Sequence, residues 1–191
     1  MAMHWLASRL EAAGFGTEVF SYASVADGPD RAVPRLVEAI GDRELDIVAH
    51  SLGGLIALQA LCDAPSLAVH RVVCMGSPLR GSGAAAGMLH WPVSSVLLGR
   101  SAKLLQSGFP CWEGRAEVGV MAGSVPHGLG AFFGQFSGEH DGTVAIDETR
   151  LPGATDHIVV AASHSGLLFS VEAADQAIAF LRNGRFDHAP R

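Results

Sequence analysis

Residues 45–55 have the sequence LDIVAHSLGGL, an apolar run followed by a serine, two glycines and a return to apolar residues. The first five residues are of strand length and mostly apolar, which is typical of a strand buried on both faces of a parallel sheet. Leu55 begins a stretch of buried-helix composition that continues to Cys62. Because only small residues around Ser51 separate the two elements, the stretch predicts a sharp strand-to-helix turn in an α/β protein.

The rest of the chain repeats this alternation of strand-length apolar runs and stretches of helical period. Further strands are predicted at residues 18–22, 71–75, 117–121 and 158–162, and further helices at residues 6–13, 33–40 and 171–181. Gly14, Gly41 and Gly184 follow these three helices as stop signals. The pattern predicts one α/β domain over residues 1–191, with a mostly parallel sheet and helices on both faces.

The composition excludes several classes of protein. The 191 residues are 49% hydrophobic and 17% charged, which favours compact folding over disorder. Lys and Arg number 13 and Asp and Glu 19, a net charge of −6 that leaves no basic surface for nucleic acid. No apolar stretch is long enough for a membrane span, and no secretory signal follows Met1, so the chain is predicted to be cytoplasmic. The three cysteines lack metal-site spacing and are predicted to be free or buried thiols.

The turn at residue 51 has the features of a nucleophile elbow, the strand-turn-helix unit that exposes a reactive serine above a sheet. Ser51 has a small residue two positions before it, Ala49, and another two positions after it, Gly53, so that strand and helix can approach closely. Alanine stands where the usual motif has its first glycine. The helix that follows would place backbone N–H groups and partial positive charge beside a developing oxyanion. Ser51 is therefore the candidate nucleophile.

A serine nucleophile needs a histidine base, and the histidine needs a carboxylate that fixes its tautomer. After a nucleophile elbow the chain order is serine, acid, histidine. Asp141 follows the predicted strand at residues 117–121, across a glycine-rich loop, and His164 follows the strand at residues 158–162. Both lie beyond the carboxyl ends of strands, where the sites of parallel sheets are found. They are the candidate acid and base.

Nine histidines and several carboxylates leave alternatives open. His140, the neighbour of Asp141, is the rival base. The fallback acids are Glu139, Asp147 and Asp156. His50 is predicted to be structural, and His157 lies at the start of a strand, the wrong end of the sheet, with Asp156 as its local partner.

Four segments together resemble small bacterial lipases and esterases of the α/β-hydrolase fold: residues 50–54 (HSLGG), 75–82 (MGSPLRGS), 141–144 (DGTV) and 163–168 (SHSGLL). Residues 180–186 also resemble the C-terminus of that group. The resemblance implies a minimal α/β-hydrolase domain without a large cap. It implies hydrolysis of acyl esters, with Ser51 as nucleophile, Asp141 as acid and His164 as base. It further implies the Leu52 backbone N–H as one oxyanion donor, and neither a metal nor an organic cofactor.

The sequence departs from that group at its beginning. Its members have a first strand and a loop that supplies a second oxyanion N–H, and no such segment precedes the helix at residues 6–13. We expect a gap about 10 Å wide between the strands at residues 18–22 and 45–49, unless they re-pair, because neighbouring strands lie about 4.8 Å apart. Three explanations are open. Met1 is an internal methionine of a longer protein, which is favoured, or the chain is a short variant with a rebuilt sheet, or it is a relic without catalysis. The second oxyanion donor is not identified.

Residues 79–109 lie between two predicted strands, above the site in this fold. This segment either lines an acyl pocket or lid, with Met88, Trp91 and Leu97 as pocket candidates, or forms a helix on the sheet edge. Its few charges suit an uncharged acyl ester. Two function classes result: a serine carboxylester hydrolase acting on a small-molecule ester or lipid, and a hydrolase-like binding protein without catalysis. The order Ser51, Asp141, His164 favours the first, and the absent strand favours the second.

Overall fold

In a computed structural model the chain is described over residues 2–21, 28–81, 104, 107–127 and 138–188. The elements are, in chain order, α1 (Ala2–Ala12), α2 (Gly28–Ile40), β1 (Leu45–His50), α3 (Leu52–Asp63), β2 (Val69–Met75), β3 (Glu117–Gly123), α4 (Ile146–Thr149), β4 (Asp156–Val160), a 3-10 helix (Gly166–Phe169) and α5 (Val171–Asn183). For these regions the alternation of strands and helices inferred from the sequence is confirmed.

The four strands form one parallel sheet in the order β1-β2-β3-β4. Ala49 lies opposite Cys74, and Cys74 lies opposite Val120, so the carboxyl ends of the strands lie along one edge of the sheet. A parallel sheet is buried on both faces, which explains the nearly unbroken apolar sequence of β3. The predicted mostly parallel sheet is confirmed.

Helices cover both faces of this sheet. On one face, Leu6 of α1 and Phe180 of α5 pack in the same cluster as Met75. On the other face, Leu58 of α3 packs in the same cluster as Cys74. Met75 and Cys74 are neighbours in β2, and successive strand residues point to opposite faces. The predicted helices on both faces are confirmed, and none of the described residues forms a separate cap domain.

The chain turns back on itself after α5. Gly184 adopts the left-handed conformation with φ 70°, which glycine reaches without steric cost and which ends the helix where the sequence predicts. The backbone N–H of Phe186 then donates to Asp156 Oδ2 at 2.8 Å, and His188 Nε2 lies 2.9 Å from Asp156 Oδ1. Residues 186–188 therefore lie at the start of β4.

The strand predicted at residues 18–22 is wrong over residues 18–21, which have no regular structure, and Tyr22 lies outside the described residues. A strand requires a hydrogen-bonded neighbour, and a cleft of about 910 Å³ lies between this segment and β1. The cleft is lined by both, and by Leu6 and Leu10 of α1. Among the described residues, no strand pairs with the outer edge of β1. The cleft lies where the sequence leads us to expect a gap.

The last strand is Asp156–Val160 rather than residues 158–162. Its pairing with β3 already begins at Asp156, which lies opposite Gly119. The backbone N–H of Ala162 donates to the carbonyl of Val160 at 2.8 Å, so the chain turns there instead of continuing the ladder. The apolar run therefore extends past the end of the strand, into the loop that leads to the site.

Three predicted pocket residues lie outside the described residues: Met88, Trp91 and Leu97. Their role therefore stays a prediction. No helix in the described ranges is long and apolar enough to cross a bilayer. The free cysteines are the exposed Cys62, the buried Cys74 and the half-buried Cys111.

Candidate active site

Ser51 occupies the turn between the last residue of β1 and the first residue of α3. With φ 56° and ψ −126° it is the one non-glycine among the described residues with a positive φ. Such a conformation costs about 1–3 kcal/mol and persists only where the surroundings enforce it. Here the Ser51 N–H donates to the carbonyl of Met75 at 2.9 Å, and the Ser51 carbonyl accepts from the Gly54 N–H at 3.1 Å. The turn thus has the strained geometry that a nucleophile elbow requires.

Gly54 and Gly76 lie at positions where a side chain would collide with residues packed around the turn at Ser51. A Cβ on Gly54, in the first turn of α3, would lie 2.7 Å from the Cβ of the buried Ser77. A Cβ on Gly76 would lie 3.2 Å from His164 Nδ1 and 3.3 Å from Asp141 Oδ2. Gly76 also has a φ of 57°, which disfavours any side chain there. Both positions are therefore restricted to glycine by the packing of the site.

Asp141 lies in the loop after β3, with only 1% of its surface exposed. Its Oδ1 accepts hydrogen bonds from the backbone N–H groups of Thr143 at 2.9 Å and Val144 at 2.7 Å. Its Oδ2 lies 2.8 Å from Nδ1 of His164. A buried carboxylate is costly without such partners, and these three hydrogen bonds compensate for its desolvation.

His164 follows β4 and contacts both other candidates. Its Nε2 lies 3.0 Å from Ser51 Oγ, and its backbone N–H donates to the Asp141 carbonyl at 2.9 Å. A carboxylate only accepts hydrogen bonds, so Nδ1 of His164 is the protonated nitrogen. The lone pair on Nε2 then faces the Ser51 hydroxyl. This is the arrangement in which the histidine can take the serine proton.

The structure does not bring the alternative acids and base into this arrangement. Nδ1 of His140 accepts from the Gly142 N–H at 3.1 Å, within the loop that carries Asp141. Asp147 is exposed and pairs with Arg150 at 3.6 Å. Glu139 is also exposed.

The partner predicted for His157 is wrong for its ring. Nε2 of His157 lies 2.8 Å from the hydroxyl of Thr149, and the contact of His157 with Asp156 is made by the His157 backbone N–H, which donates to Asp156 Oδ1 at 2.8 Å. Asp156 instead pairs with His188. The placement of His157 at the start of β4, away from the site, agrees with the sequence interpretation.

His50 makes a contact that the sequence did not indicate. Its Nε2 lies 2.9 Å from the carbonyl oxygen of His164, and the two rings are 4.7 Å apart. Burial is the largest cause that lowers the pKa of His50 to about 4, and repulsion from the neighbouring His164 ring, when that ring is protonated, is the second. The one available signal was its position directly before Ser51.

The candidate oxyanion donor is the backbone N–H of Leu52. Leu52 is the first residue of α3, a helix of 12 residues, so its N–H is among the amides that have no acceptor within the helix. The partial positive charge of the helix start lies in the same place. A second donor stays unassigned.

The model of the family described as alpha/beta hydrolase fold matches residues 20–106. Among solved structures, mature Bacillus licheniformis lipase BlEst2 has a TM-score of 0.70 and 22% identity over 93% of this chain and 82% of its own. Phospholipase PlaB from Legionella pneumophila, in complex with thio-NAD, has a TM-score of 0.66 and 14% identity over 92% of this chain and 51% of its own. The metagenomic carboxyl esterase MGS0156 has a TM-score of 0.63 and 17% identity over 82% of this chain and 57% of its own. No curated protein sequence matches the chain. The chain thus has the fold of these hydrolases and spans about half the length of two of them.

Proposed function

We propose that this chain, an α/β hydrolase by fold, is a serine carboxylester hydrolase that acts on an uncharged ester through an acyl-enzyme. The observation that carries the proposal is the chain of two contacts from Ser51 Oγ to His164 Nε2 at 3.0 Å and from His164 Nδ1 to Asp141 Oδ2 at 2.8 Å. The strained turn at Ser51 supports it, because it presents the hydroxyl at the carboxyl edge of the sheet.

In the first half of the reaction, Ser51 Oγ attacks the ester carbonyl carbon while His164 Nε2 takes the hydroxyl proton. The imidazolium that forms is stabilised by the buried carboxylate of Asp141. His164 then gives the proton to the alcohol oxygen as the carbon–oxygen bond of the ester breaks. The acyl group stays on Ser51, and the alcohol leaves.

In the second half, a water molecule attacks the acyl-enzyme. His164 takes a proton from the water and returns it to Ser51 Oγ as the acid is released. His164 is suited to both steps, since its side chain is 12% exposed, whereas that of Asp141 is 1% exposed. Water and substrate can therefore reach the base without reaching the acid.

The charge on the carbonyl oxygen of the intermediate needs hydrogen-bond donors. The Leu52 N–H and the start of α3 supply one, in the position that this chemistry uses. We assign the second to an extended segment that would fill the cleft beside β1, which is lined by His50 and Gly53 next to Ser51. On this proposal residues 1–191 form a single α/β-hydrolase domain with an open cleft beside β1.

The proposed substrate class is supported by the similarity to three solved structures and by the apolar side chains proposed for the pocket. The three compared structures are named a lipase, a phospholipase and a carboxyl esterase, which favours an ester substrate. The apolar residues Met88, Trp91 and Leu97 are the proposed pocket for an uncharged acyl chain. The mechanism needs no metal or organic cofactor.

A hydrolase-like binding protein without catalysis is the second candidate. The cleft beside β1 favours it, since a site with one oxyanion donor is expected to be slower by about 100-fold to 1,000-fold. The distinction is experimental, because the same Ser51, Asp141 and His164 geometry would be present in both cases.

The test is hydrolysis of p-nitrophenyl acetate, butyrate and palmitate by the wild-type chain and the Ser51→Ala variant. Ser165→Ala, a substitution of an exposed serine near His164, is the matched control. The proposal expects turnover that Ser51→Ala abolishes and Ser165→Ala retains. Equal turnover by wild type and Ser51→Ala would overturn the catalytic assignment and leave the binding protein.

A further inference from the structure

We propose that His50 is a positioning residue, whose side chain ties the strand end that carries Ser51 to the loop that carries His164. The inference rests on the proposed function, because it concerns how the base is held for proton transfer. His50 is not placed to react itself, since the base position at Ser51 Oγ is occupied by His164 Nε2 at 3.0 Å.

The contact between the two histidines fixes the tautomer of His50. Nε2 of His50 lies 2.9 Å from the carbonyl oxygen of His164, and a carbonyl only accepts hydrogen bonds. Nε2 of His50 is therefore the donor and carries the proton. The ring of His50 also packs on the ring of His164, with centroids 4.7 Å apart and planes tilted by 49°. One side chain thus contacts both the main chain and the ring of the base.

The contact between His50 and His164 links the base to the nucleophile, because His50 is covalently joined to Ser51. His50 is the last residue of β1 and is joined directly to Ser51. Asp141 restrains His164 from the other side, through its carboxylate and its carbonyl. The base is therefore held between the acid loop and the strand end of the nucleophile, so that the separation of Ser51 Oγ and His164 Nε2 depends on His50.

The charge state of His50 matters because its neighbour becomes positive during the reaction. Burial is the largest cause that lowers the pKa of His50 to about 4, and the charge of His164 is the second. The hydrogen bond to the His164 carbonyl and the charge of Asp141 oppose this shift but are smaller. His50 is thus neutral near pH 7, and it donates a hydrogen bond without repelling the imidazolium.

Two variants separate the hydrogen bond from the bulk of the ring. His50→Phe keeps an aromatic ring against His164 but has no donor, whereas His50→Gln keeps an N–H donor at similar reach. We expect His50→Phe to lower kcat by about 10-fold to 100-fold with little change in KM, because a small displacement of the base slows proton transfer. His50→Gln should retain kcat within about 3-fold of wild type.

A second readout does not require turnover. Proton NMR of the Ser51→Ala protein should show a low-field signal from the His164 Nδ1–H that is bonded to Asp141. His50→Phe in that background should broaden or shift this signal, and His50→Gln should preserve it, while the two variants retain similar Tm values. A purely structural role would instead lower Tm and leave the low-field signal of the folded protein unchanged.

The outcomes are distinct. The positioning role would be overturned if both His50 variants kept the kcat of wild type and the low-field signal of the Ser51→Ala protein. It would also be overturned if kcat fell equally in both variants and in parallel with Tm. If wild type hydrolyses no ester, the proposed function fails. The NMR comparison then still decides whether His50 holds His164, with a signal lost in His50→Phe and kept in His50→Gln supporting it.

Discussion

Asp141 and His164 are joined twice: the side chains meet at 2.8 Å, and the His164 backbone N–H donates to the Asp141 carbonyl at 2.9 Å. Asp141 therefore fixes both the imidazole and the main chain of His164. Because the backbone contact does not depend on the carboxylate, a side-chain substitution at residue 141 would change the tautomer of His164 more than its position.

Asp141→Asn is expected to lower kcat by about 10⁴-fold, since an amide that presents its N–H₂ to Nδ1 favours the wrong tautomer of His164. Steady-state hydrolysis of p-nitrophenyl butyrate checks this. Asp147→Asn, at a carboxylate with an 84% exposed side chain, is the control and should retain full activity. A loss below 10-fold in Asp141→Asn would contradict the role of the acid.

Gly54→Ala is expected to destabilise the fold by about 1–3 kcal/mol, because its Cβ would lie 2.7 Å from the Ser77 Cβ. Ser77→Gly in the same protein should restore much of this loss, since it removes the colliding atoms. Urea unfolding of the two single variants and the double variant measures the coupling. Additive effects of the two substitutions would show that the two residues do not collide.

Stability is expected to fall as the pH falls from 7 to 4, in part through His50. The unfolded chain binds a proton on this residue near pH 6.5, whereas burial lowers the pKa of His50 in the folded protein to about 4. Protonation therefore favours unfolding in this window, by up to about 3 kcal/mol at pH 4. Denaturant midpoints from pH 4 to 8, for wild type and His50→Gln, measure the difference. Equal slopes in the two proteins would contradict the shift.

The sequence predicted the parts of the molecule that local pattern determines. Apolar runs located the four strands of the sheet, and the spacing of small residues around Ser51 located the sharp turn. The order of Ser51, Asp141 and His164 also led to three side chains that the structure brings within hydrogen-bond distance. Their catalytic roles stay predictions until activity is measured.

The sequence predictions were wrong or incomplete where contacts between distant segments of the chain determine the structure. Residues 18–21 have strand composition but pair with no strand in the part of the chain that the structure describes. The bounds of β4 are set by its register with β3 rather than by the end of an apolar run. The ring of His157 binds Thr149 instead of its sequence neighbour. The contact of His50 with His164 joins residues far apart in the chain, and no local pattern reports such a contact.

The parallel strands place Ser51 and residues 186–188 at opposite ends of the sheet. Ser51 and His164 follow the carboxyl ends of β1 and β4, whereas residues 186–188 lie at the start of β4, held by Asp156. Five strand residues at about 3.3 Å each put about 16 Å between these ends. A fusion partner joined after His188 would therefore start from the end of the strands opposite to Ser51 and leave the edge around Ser51 uncovered.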